Sequence, residues 1–151
     1  MKSIVVFQSV HKGNTKKIAE ALAGELNAKL VKPDEIKISD LTGYDLIGFG
    51  SGIYFGKHHQ DILALAEKIL PAAGQKVFIF STAGLPQLKL IWHCALRNIL
   101  EEKDFKIMGE FACAGHDEVS FLKKIGGINK GRPNENDIDK ARQFVNSLMQ
   151  H

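Results

Sequence analysis

The sequence alternates between short apolar runs and longer segments with helical periodicity, and this alternation constrains the fold more than any other feature. The apolar runs are rich in β-branched and aromatic side chains, and they cover residues 4–7, 29–31, 45–51, 76–81 and 107–112. Runs without polar alternation are typical of strands buried on both faces, as in parallel sheets. Apolar positions with helical spacing follow at residues 18–26, 62–70, 88–100 and 138–148. The pattern predicts an α/β fold, with a parallel sheet covered by helices on both faces.

Composition supports one globular domain over residues 1–151. Hydrophobic residues make up 44% of the chain and charged residues 25%, which excludes wholesale disorder and a coiled coil. The net charge is +3 without any long run of like charges, which argues against a dedicated nucleic-acid binder. Cys94 and Cys113 form no CxxC pattern, as expected in a reducing compartment. No apolar stretch approaches the ~20 residues of a membrane span, so we expect a cytoplasmic protein without a membrane span.

The loop after the first strand is the first candidate ligand site. In open parallel sheets, ligands bind beyond the carboxyl ends of the strands. Residues 9–15 carry a hydroxyl at each end, in Ser9 and Thr15, and contain Gly13 just before a helix. Asn14 or Thr15 is expected to cap that helix. Free amides and the helix dipole at such a point favour a phosphate, although the loop lacks both the GxGxxG and GxxxxGK[ST] patterns.

Two further strand ends carry unusual residues. The second loop, residues 50–59, has Tyr54 and Phe55 between glycines, followed by Lys57. Two adjacent aromatic residues in a glycine-bearing loop favour the flat face of a ligand over core packing. The third loop is short and contains only small side chains, at Ser81, Thr82, Ala83 and Gly84. Small residues allow backbone amides to reach the polar edge of a ring.

Together these motifs resemble the flavodoxin family, over about residues 3–112 and plausibly the whole chain. Residues 4–7 followed by Gly13-Asn14-Thr15 are similar to that family's strand and phosphate loop, and residues 50–56 and 81–84 resemble its second and third loops. The resemblance implies a three-layer α/β/α sandwich with a five-stranded parallel sheet of order 2-1-3-4-5. It also implies bound flavin mononucleotide (FMN), which would supply the redox chemistry.

The resemblance also implies roles for individual residues. Ser9, Thr15 and the amides of residues 11–15 would hold the phosphate, Tyr54 or Phe55 would stack on the flavin ring, and the Gly56 peptide would reorient toward N5 of the reduced ring. Lys12 stands where the family usually has threonine, and it either contacts the phosphate or points to water. The full set of expected cofactor-binding residues is Ser9, His11, Lys12, Gly13, Asn14, Thr15, Gly52, Tyr54, Phe55, Gly56, Lys57, Ser81, Thr82, Ala83 and Gly84. No catalytic side chain and no metal ligand is predicted.

Three functions follow as hypotheses. The first is a flavodoxin-like carrier of electrons between a reductase and an acceptor, and we favour it over a dedicated enzyme. The second is a flavin-dependent oxidoreductase acting on a quinone-like small molecule, because residues 52–56 also resemble a loop of flavodoxin-like protoporphyrinogen oxidases. In that case the irregular segment from Cys113 to Asn136 would form part of a substrate site. The third is a flavin-free scaffold domain of the same fold. His93 is interpreted as a packing or surface residue, and the pair His58-His59 as a poor metal signal.

Overall fold

The computed structural model describes residues 1–10, 13–115 and 131–150. Among the predicted site residues, His11 and Lys12 lie outside these ranges. Most of the segment from Cys113 to Asn136 also lies outside them.

Five parallel strands form the sheet. They are β1 (Ser3–Gln8), β2 (Lys29–Val31), β3 (Leu46–Tyr54), β5 (Lys76–Ala83) and β6 (Lys106–Ala114), in the order β2-β1-β3-β5-β6. This order confirms the predicted topology of five parallel strands. A sixth strand, β4 (Lys57–His58), was not predicted; it pairs antiparallel with the end of β3.

Helices cover both faces of the sheet. They are α1 (Asn14–Leu26), α2 (Gln60–Lys68), α3 (Lys89–Trp92), α4 (Cys94–Glu102) and α5 (Glu135–Met149), with 3-10 turns at Pro33–Glu35, Ile38–Gly43 and Pro86–Leu88. The prediction of one continuous helix over residues 88–100 is wrong. The helix is interrupted at His93, whose ring is completely buried.

The core is divided by the sheet into two layers. Alternate strand residues pack on α2 and α4 on one face, as Phe49 and Ile79 do, and on α1 and α5 on the other, as Phe78 and Phe80 do. On the second face the rings of Phe78 and Phe80 lie over Gly48 and Gly50, where an added Cβ would be 2.3 Å from each ring. Neither glycine therefore marks a turn at the end of β3, because the strand continues through both to Tyr54. Each leaves room for an aromatic ring of the neighbouring strand.

The starts of two helices differ in how they are capped. Asn134 and Asp137 form a capping box at the start of α5. The expectation that Asn14 or Thr15 caps α1 is wrong, because Gly13 occupies the N-cap with φ 65° and no side chain caps the helix. Within the described ranges, no helix has the length and apolar character needed to cross a bilayer.

Candidate functional site

Two described features on either side of residues 11 and 12 suit an anion: the Ser9 hydroxyl and the N-terminus of α1. Ser9 Oγ is buried and has no hydrogen-bond partner among the described residues. It lies just before α1, whose N-terminus has no side-chain cap. A buried hydroxyl without a partner requires an explanation, and the start of a helix attracts negative charge. A phosphate oxygen would satisfy Ser9 and the helix dipole together.

Thr15 is oriented differently from Ser9. Its side chain is buried, and its Oγ1 lies 2.8 Å from Oγ1 of Thr82. This hydrogen bond ties the first turn of α1 to the end of β5. Asn14 lies close by, since an added Cβ on Gly115 would be 3.2 Å from Asn14 Nδ2 and 3.1 Å from Thr82 Cβ. The structure therefore brings the first and third predicted loops together through Thr15 and Thr82.

The third loop begins later than the sequence indicated. Ser81, Thr82 and Ala83 are the last residues of β5 and are buried, whereas Gly84 follows the strand and is half-buried. The hydroxyl of Ser81 lies 2.7 Å from Nε2 of His93. Ser81 therefore takes part in an interior network instead of facing the surface.

The second loop is a tight hairpin between β3 and β4. Phe55 and Gly56 form its two-residue turn, with φ values of 52° and 80°. Two consecutive positive φ values are typical of type I′ hairpins, in which asparagine, aspartate or glycine is preferred. A phenylalanine in this conformation is strained, and the Phe55 side chain is fully exposed. An added Cβ on Gly56 would lie 3.7 Å from the Trp92 ring, so the hairpin rests against α3.

Tyr54 folds back over the sheet end instead of projecting outward. Its hydroxyl oxygen would lie 2.9 Å from a Cβ on Gly52, which explains the small residue at that position. Its ring meets the ring of His59 edge-on, with centroids 5.3 Å apart. Burial raises the pKa of Tyr54, and a hydrogen bond from the Val10 backbone partly opposes that shift.

A cleft of about 440 Å³ connects the hairpin with the end of the first strand. Val10, Tyr54, Phe55 and Lys57 line it, together with residues 58–60 and Leu63 of α2. Half of the predicted second loop, residues 50–59, therefore borders one cavity, whereas residues 81–84 do not line it. Lys57 is exposed and adds a positive charge to the rim.

A buried polar network lies beneath the hairpin. His93 Nδ1 is 2.9 Å from Oε1 of Glu110, and Arg97 donates two hydrogen bonds to the same carboxylate. His58 packs against His93, with ring centroids 4.9 Å apart. Its Nε2 lies 2.9 Å from the Phe80 carbonyl oxygen. The described residues contain no group of three side chains able to hold a metal ion.

Charges in this network follow from burial and pairing. Burial lowers the pKa of His58 to about 3 and also lowers the pKa of His93, despite the neighbouring Glu110. Burial alone would raise the pKa of Glu110, but hydrogen bonds from His93 and Arg97 lower it to about 2. Both imidazoles are therefore neutral and the carboxylate is ionised near neutral pH. Interpreting His93 as a packing residue missed this network, because its members come from four different elements.

Cys113 has no reactive environment. It is buried, and burial raises the pKa of its thiol to about 12, with a smaller contribution from Asp137. A thiol that stays protonated is a poor nucleophile. Cys113 is therefore a structural residue, packed in the core.

The fold defines an α/β protein with a doubly wound sheet, and the unpartnered Ser9 hydroxyl follows the carboxyl end of β1. A flavodoxin domain model matches residues 4–115, and the chain therefore belongs to the flavodoxin domain family. This confirms the resemblance inferred from the motifs, and it supports a flavin-binding redox protein in general terms.

The chain is also similar to individual proteins, in sequence or in fold. An uncharacterized protein of Methanocaldococcus jannaschii is 47% identical over 151 residues, which is the full length of both chains. A flavodoxin of Streptococcus pneumonia TIGR4 has a TM-score of 0.74 at 15% identity, with 99% of each chain covered. A mutant flavodoxin of Fusobacterium nucleatum, bound to flavin mononucleotide, has a TM-score of 0.69 at 14% identity, covering 99% of this chain and 96% of that one. At these identities the two solved structures demonstrate a shared fold.

Proposed function

We propose that the protein binds FMN and carries electrons between a reductase and an acceptor. The observation that supports this most is the pairing of a buried Ser9 hydroxyl, unpartnered among the described residues, with a cleft that begins at the next residue, Val10, and is bordered by the fully exposed, strained Phe55. A phosphate and a planar ring at the two ends of one ligand would use both features. The residues present therefore fit FMN, and FMN when bound supplies the redox chemistry.

In this assignment the first loop holds the phosphate. Ser9 donates from its hydroxyl, and the amides that open α1 contribute with those of His11, Lys12 and Gly13. Thr15 supports the loop through its hydrogen bond with Thr82. Small residues at the end of β5 allow this close approach.

Phe55 is the better candidate of the two aromatic residues for stacking on the ring. Tyr54 is half-buried and already contacts His59 and Val10. The Phe55 ring is fully exposed, yet the hairpin holds this residue in a strained backbone conformation. Such strain is expected at an exposed aromatic residue when contact with a bound ligand offsets its energetic cost.

The charge of the rim indicates the type of redox partner. Lys57 borders the cleft, and residues 51–60 contain no acidic side chain. The chain as a whole carries a net charge of +3. Opposite fields steer transient partners together, so we expect a partner with an acidic docking surface and an association rate that falls with salt.

A flavin-dependent oxidoreductase remains the second candidate. It is favoured by the extension of the cleft to Leu63 on α2, which leaves space next to the hairpin for a small molecule such as a quinone. Turnover of a quinone or a porphyrinogen by the purified flavoprotein, without any protein partner, would support this candidate over a carrier.

The first experiment is the visible spectrum of the purified protein, followed by titration with FMN and with riboflavin. Flavin absorption, quenched fluorescence and tighter binding of FMN than of riboflavin are expected. Colourless protein with no affinity for either flavin would contradict the proposal and favour a flavin-free scaffold domain. Equal affinity for FMN and riboflavin would remove the phosphate role from the first loop.

A further inference from the structure

His58 has one nitrogen that nothing in the described structure satisfies. Its side chain is 1% exposed, and its Nδ1 is buried without a hydrogen-bond partner among the described residues. The residue is the last of β4 and borders the cleft. Leaving a buried polar atom without a hydrogen-bond partner lowers the stability of the fold by about 1–3 kcal/mol. Because His58 borders the cleft, a ligand bound there is a candidate for the missing partner.

The neighbouring groups determine which kind of ligand atom fits. A carbonyl oxygen only accepts hydrogen bonds, so Nε2 of His58 must donate to the Phe80 carbonyl at 2.9 Å. A neutral imidazole that carries its proton on Nε2 has a lone pair on Nδ1. The orphaned atom is therefore an acceptor, and its missing partner is an N–H or O–H donor.

The buried network keeps this tautomer in place. Glu110 accepts from Nδ1–H of His93, so Nε2 of His93 accepts from the Ser81 hydroxyl at 2.7 Å. His93 thus has no proton left to offer the His58 ring that packs on it at 4.9 Å. Arg97 holds Glu110 through two hydrogen bonds, which fixes the orientation of His93. The His93 ring, held in this way, packs against His58 and limits the orientations that the His58 ring can adopt.

We propose that His58 determines ligand specificity in the cleft by accepting a hydrogen bond at Nδ1 from the ring N–H of the flavin. This inference rests on the proposed binding of FMN. Oxidised isoalloxazine has a single ring N–H, at N3, and its other polar ring atoms are acceptors. An acceptor on the protein therefore selects that edge of the ring. The atom is covered in the ligand-free chain, so the proposal requires the wall of the cleft to shift when the ligand binds.

The test compares FMN with FMN methylated at N3, which lacks the donor. Dissociation constants are measured by fluorescence quenching for wild type, His58→Phe and His58→Asn. Wild type is expected to bind FMN about tenfold more tightly than the methylated analogue. His58→Phe, which keeps a ring but offers no acceptor, is expected to bind the two alike. His58→Asn, whose carbonyl oxygen restores an acceptor, is expected to recover part of the preference.

Ser9→Ala is the matched control, because it is expected to weaken both flavins by the same factor and leave their ratio unchanged. Equal binding of the two flavins by wild type would overturn the inference while leaving the proposed function intact. A preference that persists in His58→Phe would also overturn it, since the methyl group would then be rejected elsewhere. Wild type that binds neither flavin would contradict the proposed function itself.

Nitrogen-15 NMR of the imidazole gives a readout that does not depend on whether the variants fold. In wild type, Nδ1 of His58 is expected to have the nitrogen-15 chemical shift of an unprotonated nitrogen that accepts no hydrogen bond. This resonance is expected to shift upfield when FMN is added. The methylated analogue is expected to cause little shift. An Nδ1 resonance that does not respond to FMN in a flavin-loaded sample would refute the hydrogen bond.

Discussion

Replacing Phe55 with asparagine is expected to stabilise the flavin-free protein while weakening flavin binding. Phe55 has φ 52° and precedes Gly56 at φ 80°. The left-handed conformation costs a residue with an ordinary Cβ about 1–2 kcal/mol, and Asn-Gly is the preferred sequence for a type I′ turn. The Phe55 side chain is fully exposed, so its removal deletes almost no packing.

The expected gain in the free energy of unfolding is about 0.5–1 kcal/mol, since asparagine relieves part of the strain. At about 2–4 °C per kcal/mol for a chain of this size, Tm should rise by roughly 1–4 °C. The measurement is calorimetry on flavin-free protein, because a ligand that binds only the folded state raises Tm by mass action.

The same substitution should raise the dissociation constant for FMN. Aromatic stacking on a nucleobase contributes about 1–3 kcal/mol, and that range applied to the flavin ring corresponds to roughly a 5- to 150-fold loss of affinity. Phe55→Tyr is the matched control, because it keeps both the aromatic ring and the strain. Its Tm and its affinity should stay close to those of wild type.

Two results would refute the reasoning separately. A lower Tm for Phe55→Asn would show that the hairpin does not store strain at this residue. An unchanged FMN affinity in Phe55→Asn, together with a large loss in Tyr54→Leu, would transfer the stacking role to Tyr54.

Three further predictions concern other parts of the molecule. Ser9→Ala should weaken FMN binding by about 1.5–3 kcal/mol, the value of a hydrogen bond to a charged group, and should leave riboflavin affinity unchanged in the same titration. Gly48→Ala places a Cβ 2.3 Å from the buried Phe78 ring and should lower the free energy of unfolding by about 1–3 kcal/mol, measured in urea. The control, Gly24→Ala in α1, meets nothing within 4 Å and should raise it by up to about 1 kcal/mol. Burial lowers the pKa of His58 to about 3, so below pH ~6.5 the unfolded chain binds a proton at this residue that the folded chain does not bind. The free energy of unfolding should therefore fall by about 1.4 kcal/mol per pH unit from there toward pH 3. His58→Phe should reduce that slope, and an identical slope in the variant would assign the proton to another group.

The fold was predictable because its signals are local. Each parallel strand is a short apolar run, and each long helical segment shows regular spacing of apolar residues, although the spacing over residues 88–100 did not reveal the break at His93. The order of the strands came from the resemblance of the loops to a known family, and the sheet confirms it. Where glycines suggested the end of β3, the strand in fact continues to Tyr54. Sequence alone does not distinguish a glycine that turns the chain from one that makes room for Phe80.

The site was predictable only in part, because its geometry depends on contacts between distant residues. The motif around Thr15 indicated a phosphate loop, yet the hydrogen bond that Thr15 makes is with Thr82, 67 residues away. Ser81, His93 and Glu110 meet across the sheet without any spacing that marks them as a group. Tyr54 and Phe55 are neighbours in sequence, and only the hairpin geometry distinguishes a folded-back ring from an exposed one.

Three residues depart from favourable local structure without a local reason, Ser9, Phe55 and His58, and all three lie at the carboxyl edge of the sheet. The two buried side-chain atoms that lack a partner within the described ranges are Ser9 Oγ and His58 Nδ1. Positive φ values at Asn27 and Asp104 occur at the ends of helices and in residue types that tolerate them; Phe55 is the one bulky residue in this conformation among those described. Natural proteins break local rules mainly where function requires it. If these three departures had unrelated causes, nothing would place them around the same strand ends. A single ligand with an anionic end, a flat face and a ring N–H would satisfy Ser9, Phe55 and His58 together, so removing any one of the three should weaken the binding of that ligand through a different chemical group.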